Sequence, residues 1–156
     1  MVQTTSSVAM ACADLDLTFD TDCSGSWFGI NGTAQSLSGT EQTRLSGEAY
    51  TFTGDAAVIQ GGKKEPMELV VEIVYSETDG EAFEAVRGRF EAAGCGAHLC
   101  MRWSPAGGAV GDLRFTTGYS TLVSFTYPPI DASAGGPILA GFTLKVPEIT
   151  TTTITS

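Results

Sequence analysis

The chain has 156 residues, enough for one domain with a sizeable hydrophobic core, and charged residues make up only 17% of it. Its 18 acidic and 8 basic side chains give a net charge of -10. Because proteins hold nucleic acid through Lys and Arg contacts that release counterions, this balance excludes ordinary nucleic-acid binding. The sequence has no run of about 18 apolar residues, so no membrane span is predicted.

Residues 1–13 are polar and then small, and we predict that they form an N-terminal arm. They lack the cationic region and long apolar run of a signal peptide, so we expect synthesis in a cytoplasm, where thiols stay reduced. One disulfide formed after release or assembly is the alternative. Four cysteines allow three pairings, which the sequence leaves open: Cys12, Cys23, Cys95 and Cys100.

The first strand is predicted at residues 14–23, where carboxylates and apolar side chains alternate. Four aspartates fall at even positions: Asp14, Asp16, Asp20 and Asp22. Successive side chains of a strand point to opposite faces, so these four should share one face, which we name the acidic stripe. Calcium loops also contain closely spaced aspartates, but they need a turn Gly and a distal bidentate Glu. A solvent-facing surface is therefore favoured over a calcium site.

The next elements are a short strand at 27–31 and a long segment at 34–65. Glycines interrupt the weak alternation of the long segment, which predicts a functional loop or a flexible hairpin that meets a partner. Residues 67–75 are rich in β-branched side chains and form the clearest strand. Their continuous apolar run predicts burial on both faces at the centre of this strand.

One helix is predicted at about residues 79–93. Thr78 and Glu81 fit a capping box at its start. Its apolar face follows helical spacing: Phe83, Val86 and Phe90. Gly88 lies inside this helix, where Gly costs about 1 kcal/mol relative to Ala, and we interpret it as a point of close packing against a sheet.

Four further strands are predicted at 98–104, 112–117, 120–127 and 138–146, the middle two forming a hairpin about Gly118. The Thr-rich tail at 147–156 either pairs with a neighbour's sheet edge or is disordered. Abundant Gly and Thr and the order of the elements predict a mainly β protein. The predicted fold is one domain over 1–156, an antiparallel β-sandwich or barrel flanked by one helix.

Neither catalysis nor a cofactor site has support in the sequence. His98 is the only histidine and therefore the only candidate base for a Ser or Cys nucleophile. It also lies between two cysteines, but a zinc site would need a second, well-spaced pair. No phosphate-binding glycine motif is present. We therefore predict no enzyme, no metal and no cofactor.

Three stretches carry a resemblance to a known family. They are residues 61–75, which begin Gly-Gly-Lys-Lys-Glu-Pro, residues 102–108, Arg-Trp-Ser-Pro-Ala-Gly-Gly, and residues 127–138, which begin Tyr-Pro-Pro-Ile-Asp-Ala. With an arm, a hairpin, a long loop, a strong strand, one helix and a Thr-rich tail in that order, the chain resembles the tail tube protein of long-tailed bacteriophages. The similarity of architecture extends over nearly the whole chain.

The resemblance implies a structural virion protein whose partners are its own copies and other tail proteins. Six copies would form a ring, and stacked rings would form a hollow tube through which DNA passes without specific binding. A loop within 34–65 would reach the adjacent ring, and the arms at 1–13 and 147–156 would bridge subunits. The expected location is the tail of the virion, after assembly in the host cytoplasm.

This resemblance leaves the type of tail open, contractile or not, and makes the acidic stripe a candidate lining of the lumen. Two alternatives remain. One is a different virion component, such as a tail terminator or a head decoration protein. The other is an acidic β-sandwich that binds its target in a calcium-dependent way.

Overall fold

A computed structural model describes residues 13–92, 94, 96–133 and 135–156. Of the predicted arm at 1–13, only Ala13 is among them. The described residues form eleven strands and one helix. In chain order these are β1 Asp14–Thr18, β2 Phe28–Gly29, β3 Ala34–Ser38, β4 Arg44–Ala49, β5 Val58–Lys64, β6 Met67–Val74, α1 Ala82–Ala92, β7 Ala97–Ser104, β8 Leu113–Thr116, β9 Ser120–Thr126, β10 Leu139–Val146 and β11 Thr150–Thr153.

Strand β7 belongs to both layers of a β-sandwich. Its first residues, Ala97 to Leu99, pair with β9, which continues through β10 and β6 to β3. Its later residues, Cys100 to Ser104, pair with β1 on one side, and two of them pair with β8 on the other. Strand β11 then extends the layer that contains β1 and β8, on the far side of β8. All pairings are antiparallel, so the predicted mainly β, sandwich-like fold with one helix is confirmed.

The corner between the two layers lies at Thr117. The N–H of Thr117 donates to the carbonyl of Met101 at 2.9 Å, and the N–H of Met101 donates to the Thr117 hydroxyl oxygen at 3.0 Å. Strands β8 and β9 therefore pair with successive parts of β7 and not with each other. The predicted hairpin about Gly118 is wrong, because the long strand β7 offers partners to both.

Strand β6 shows how the sandwich buries its core. Its side chains alternate strictly between buried and exposed positions, as the period of a strand requires. Leu69, Val71 and Ile73 are fully buried, whereas Val70 is 39% exposed between two exposed glutamates. Burial on both faces was the expectation for this strand, and it is wrong because its outer face is exposed.

Helix α1 begins three residues later than predicted. The N–H of Ala85 donates to the carbonyl of Glu81 at 3.1 Å, which places Glu81 at the N-cap position. Gly80 has a φ of 86°, so the backbone at Thr78 and Asp79 turns away from the helical path. The capping box assigned to Thr78 and Glu81 is therefore wrong.

The apolar face of α1 is confirmed. Phe83 and Val86 are buried, and Phe90 is partly buried against the core. Phe83 and Phe90 both contact Phe125, with ring centroids 5.6 Å and 5.9 Å apart. Contacts between aromatic rings at this spacing add to the free energy gained from burial. Together they fix the helix against the layer that contains β9.

The C-terminal tail folds back onto its own chain. Strand β11 pairs with β8, with Thr150 opposite Thr116. Ile154 is buried, and its N–H donates to the carbonyl of Asp112 at 2.9 Å. Neither expectation for the tail describes this arrangement, because the partner is a strand of the same domain.

Gly88 was expected to mark close packing, but it is exposed, and a Cβ added there would meet no atom within 4 Å. Gly88→Ala should therefore raise the free energy of unfolding by about 1 kcal/mol, the difference in helix propensity. Urea denaturation of the two proteins measures this difference. Gly141→Ala is the matched control, because its Cβ would lie 2.7 Å from the carbonyl oxygen of Val71 and should destabilise the fold. Equal losses at both positions would contradict the assignment of Gly88 to an open surface.

Candidate functional site

The most exposed element is the hairpin of β4 and β5, which forms a separate two-stranded sheet within the segment 34–65. Every residue of both strands is exposed. The N–H of Glu65 donates to the carbonyl of Thr43 at 2.8 Å and closes the base of the hairpin. The Gln42 amide, which donates to the carbonyl of Pro147 at 2.9 Å, joins this base to the body of the domain. The start of the segment joins the sandwich as β3.

The hairpin carries large apolar side chains that no other described residue covers. Five are exposed by half or more: Leu45, Tyr50, Phe52, Val58 and Ile59. Tyr50 is 73% exposed, and Phe52, at the turn, is fully exposed. An isolated two-stranded hairpin is marginally stable in water, and a cluster of exposed apolar side chains is typical of contact surfaces. The hairpin is therefore a candidate contact surface.

The acidic stripe is divided between a strand and a turn. Strand β1 ends at Thr18, and Leu17 and Thr18 are both buried, so the alternation of faces stops there. Only Asp14 and Asp16 lie on the strand, and the predicted strand 14–23 is too long. The four carboxylates therefore lie in two different settings.

Asp14 and Asp16 are half-buried and bonded to neighbours. The Asn31 amide donates to the carboxylate of Asp14 at 2.6 Å. Asp16 forms an ion pair with Arg102, with 2.9 Å between the carboxylate oxygen and Nε, and its side chain is only 13% exposed. The guanidinium of Arg102 lies 4.3 Å from the centroid of the Trp27 ring, where a cation–π contact forms. These two aspartates hold β1 to its surroundings.

Asp20 and Asp22 lie in the exposed turn that follows β1. The carboxylate of Asp20 accepts the N–H of Ser26 at 3.2 Å, and that of Asp22 accepts the N–H of Ser24 at 3.2 Å. Hydrogen bonds from the side chain and the backbone of Ser24 hold the pKa of Asp22 below its ordinary value. These two carboxylates are charged and face solvent.

A disulfide joins this turn to β7. Cys23 and Cys100 are bonded, with their Cα atoms 5.6 Å apart and their positions 77 apart in sequence. Cys100 is fully buried, and Cys23 has a φ of 56° in the turn. The structure thus pairs two of the four cysteines, which the sequence left open, while Cys12 and Cys95 lie outside the described residues.

The described residues contain no group of three or more His, Cys, Asp or Glu side chains placed to hold a metal ion. His98 stacks on Tyr119, with centroids 4.9 Å apart, and Cys100 is occupied by its disulfide. Within the same ranges no helix is long and apolar enough to span a membrane. The feature of the described surface that stands out is therefore the exposed apolar area of the hairpin.

Arg102 and Trp27 are the partners that sequence reasoning missed. The register of β1 against β7 places Asp16 opposite Arg102. No local signal reveals a pairing between residues 86 positions apart. The alternation of the acidic stripe indicated strand β1, but it did not indicate that Arg102 would neutralise Asp16.

Replacing Asp16 should destabilise the fold, because Asp16→Ala leaves the half-buried guanidinium of Arg102 without its carboxylate. We expect a loss of about 1–3 kcal/mol in the free energy of unfolding, measured by urea denaturation. Asp22→Ala is the control in the exposed turn and should change stability little. An equally small loss in the free energy of unfolding for both variants would show that the Asp16–Arg102 pair contributes nothing to stability.

No protein-family model and no curated protein matches this sequence. Among solved structures, a chain of the tube-terminating cap of the anti-feeding prophage matches with a TM-score of 0.70 and 16% identity, covering 98% of this chain and 94% of that one. A chain of the sheath–tube complex of an extracellular contractile injection system, PVC, in its extended state matches with a TM-score of 0.70 and 12% identity, covering 96% and 94%. A chain of the anti-feeding prophage baseplate matches with a TM-score of 0.69 and 10% identity, covering 97% and 99%. The chain therefore shares its fold, over nearly its whole length, with chains from contractile injection systems.

Proposed function

We propose that this chain is a structural subunit of a tail-like tube, in which copies form rings and the rings stack into a hollow conduit. The observation that carries the proposal is the exposed apolar hairpin β4–β5, which projects from a sandwich whose own core is complete. The shared fold with chains from injection machines supports it, since those assemblies include a sheath–tube complex and a tube cap. In its more specific form, the proposal is that six copies form each ring and that the tube belongs to a phage tail.

In the proposed ring, unpaired strand edges of neighbouring copies would pair with each other. Within the described ranges, β3 pairs only with β6, and β11 pairs only with β8. Each of these strands therefore presents one edge of unpaired backbone N–H and C=O groups. Such edges are an aggregation hazard, and pairing them between copies closes the sheet and removes that hazard.

The lining of the conduit must let its cargo pass. A chain with a net charge of -10 repels phosphate, so DNA would pass without being held. Asp20 and Asp22, which face solvent, remain candidates for this lining. Asp16 is a weaker candidate, because Arg102 neutralises it. Glu68 and Glu72, on the exposed face of β6, are further acidic candidates.

A second candidate function is a terminator that caps the end of a tube. It is favoured by the shared fold with a chain of the tube-terminating cap and with a chain of the PVC sheath/tube terminator, the latter at a TM-score of 0.67 and 11% identity. The two functions differ in one physical property. A tube subunit stacks its rings without limit, whereas a terminator stops at a single ring. Electron microscopy of the purified chain distinguishes long tubes from isolated rings.

Removing the apolar tip of the hairpin should block assembly and leave the fold intact. We expect the double variant Tyr50→Ser/Phe52→Ser to remain monomeric at concentrations where the unchanged protein forms rings or tubes, because it loses the apolar area that a neighbour would cover. Sedimentation velocity and negative-stain microscopy measure assembly. Thermal unfolding should be unchanged, since both side chains are exposed.

Ile130→Ser is the matched control, because Ile130 is 96% exposed and lies outside the hairpin. It should assemble like the unchanged protein. If the hairpin variant assembles as well as this control, the hairpin is not the assembly contact. If the unchanged protein stays monomeric at high concentration, the proposed function itself is wrong.

A further inference from the structure

The base of the hairpin concentrates cations in a strongly acidic protein, beside the carboxylates of Glu65 and Glu148. Three of the eight Lys and Arg residues of the chain lie there, and we name them the basic patch: Arg44, Lys63 and Lys64. Arg44 lies opposite Lys64 in the register of the two strands, and all three residues are exposed. Like charges directly opposite each other destabilise a strand pair, so their clustering favours an external function.

The basic patch is only partly neutralised within the chain. Lys64 pairs with Glu148 at 3.3 Å, and both side chains are well exposed, at 37% and 60%. Arg44 donates to the carbonyl of Gly62 at 3.2 Å and not to a carboxylate. Lys63 forms no ion pair with any described residue. Positive charge therefore remains available to a partner.

Most carboxylates outside the hairpin are occupied locally. Arg102 neutralises Asp16, Arg87 neutralises Glu84 and Glu91, and serines bind others, such as Asp22 and Asp131. Glu68 has no such partner, but it lies opposite Lys145 in the register of β6 and β10.

The turn before α1 is the exception. It holds three carboxylates within five residues, and we name it the acidic turn: Glu77, Asp79 and Glu81. Neither Asp79 nor Glu81 forms a side-chain hydrogen bond or ion pair with another described residue, and Glu77 accepts a hydrogen bond from the Tyr75 hydroxyl. That bond, then burial, then the negative charges of Glu77 and Glu84 raise the pKa of Tyr75. The turn is thus a local centre of negative charge.

We propose that the basic patch of one copy binds the acidic turn of a second copy. This inference rests on the proposed function, because it names the surface at which copies meet. No ion pair within the described chain joins the two surfaces, and their charges are complementary. Between subunits that repel each other through their net charge, a contact of opposite charges lowers that repulsion and fixes the orientation of the partners.

The two surfaces lie on different elements of the chain, and in the rings of the proposed function they meet head-to-tail. A copy that binds through its basic patch keeps its acidic turn free for the next copy. Such heterologous contacts generate closed rings or open filaments, whereas a two-fold contact generates only dimers. Leu45 lies next to Arg44 on β4, so the same approach of a neighbour would also cover this exposed apolar side chain.

Charge reversal tests the contact with two variants. The first, Arg44→Glu/Lys63→Glu, reverses the basic patch and leaves Lys64 to hold the hairpin base through Glu148. The second, Asp79→Lys/Glu81→Lys, reverses the acidic turn. Each alone should need about tenfold more protein to assemble, because each places like charges together. Sedimentation velocity and negative-stain microscopy are the measurements, and circular dichroism confirms that each variant is folded.

The decisive result is that assembly is recovered when the two variants are mixed. In a 1:1 mixture of the two variants, every contact between unlike copies joins opposite charges, so alternating rings should form at the concentration that the unchanged protein needs. A chain that carries all four substitutions should recover as well. If both variants are folded and the mixture stays unassembled, the contact is wrong.

Two further variants exclude simpler causes. Arg114→Glu/Val110→Glu/Ile130→Glu produces the same change in net charge as the first variant, but at positions outside the hairpin where Val110 and Ile130 are well exposed, and should assemble normally. An equal loss in this control would assign the effect to net charge and overturn the contact. Asp79→Asn/Glu81→Gln removes the attraction without adding cations at the start of the helix and should also weaken assembly. If the unchanged protein assembles and the reversed variants assemble equally well, this contact fails while the proposed function stands.

Discussion

The shared strand β7 is the constraint on which the rest of the fold depends. Leu99, Cys100 and Met101 at its centre are fully buried, and the strand pairs with one layer before this point and with the other layer after it. Because backbone groups in the core must find partners, this double pairing fixes where β8 ends and β9 begins. The same strand supplies Cys100 to the disulfide and Arg102 to Asp16. The disulfide to the buried Cys100 therefore fixes the position of the exposed turn that carries Asp20 and Asp22.

The sandwich separates the residues that stabilise the fold from those available for contact. Alternating side chains of β6, β9 and β10 fill the core together with α1. The large apolar side chains of the hairpin contribute nothing to that core, since they are exposed. The exposed side chains of the hairpin are therefore not the residues that stabilise the core. In the proposed assembly, a change at the hairpin would affect association while leaving the fold intact.

Sequence periodicity predicted the elements, but not the contacts between distant ones. The β-branched run in 67–75 and the helical spacing of Phe83, Val86 and Phe90 are local signals, and both elements are present as expected, although the exposed outer face of β6 was not predicted. The end of β1 at Thr18, the pairing of Thr150–Thr153 with β8 and the choice of Cys100 by Cys23 depend on strand register across the domain. No local pattern contains that register. The hairpin lies between these cases: glycines and weak alternation in 34–65 predicted a functional loop or a flexible hairpin that meets a partner, and the segment does contain a hairpin, but its separation from the main sheet was not predicted.

In the proposed assembly, the distribution of charge determines where copies of this acidic chain can meet. A subunit with a net charge of -10 repels its own copies, and the repulsion is weakest where positive charge is concentrated. Cations such as Arg102 and Arg87 are used inside the chain, each against a neighbouring carboxylate. The hairpin base keeps cations at the surface, next to the exposed side chain of Leu45. Apolar area supplies the attraction there, and the adjacent cations determine which surface of the next copy approaches it, because only an acidic one is drawn to it. A contact of this kind is directional, as the growth of a ring or a tube requires.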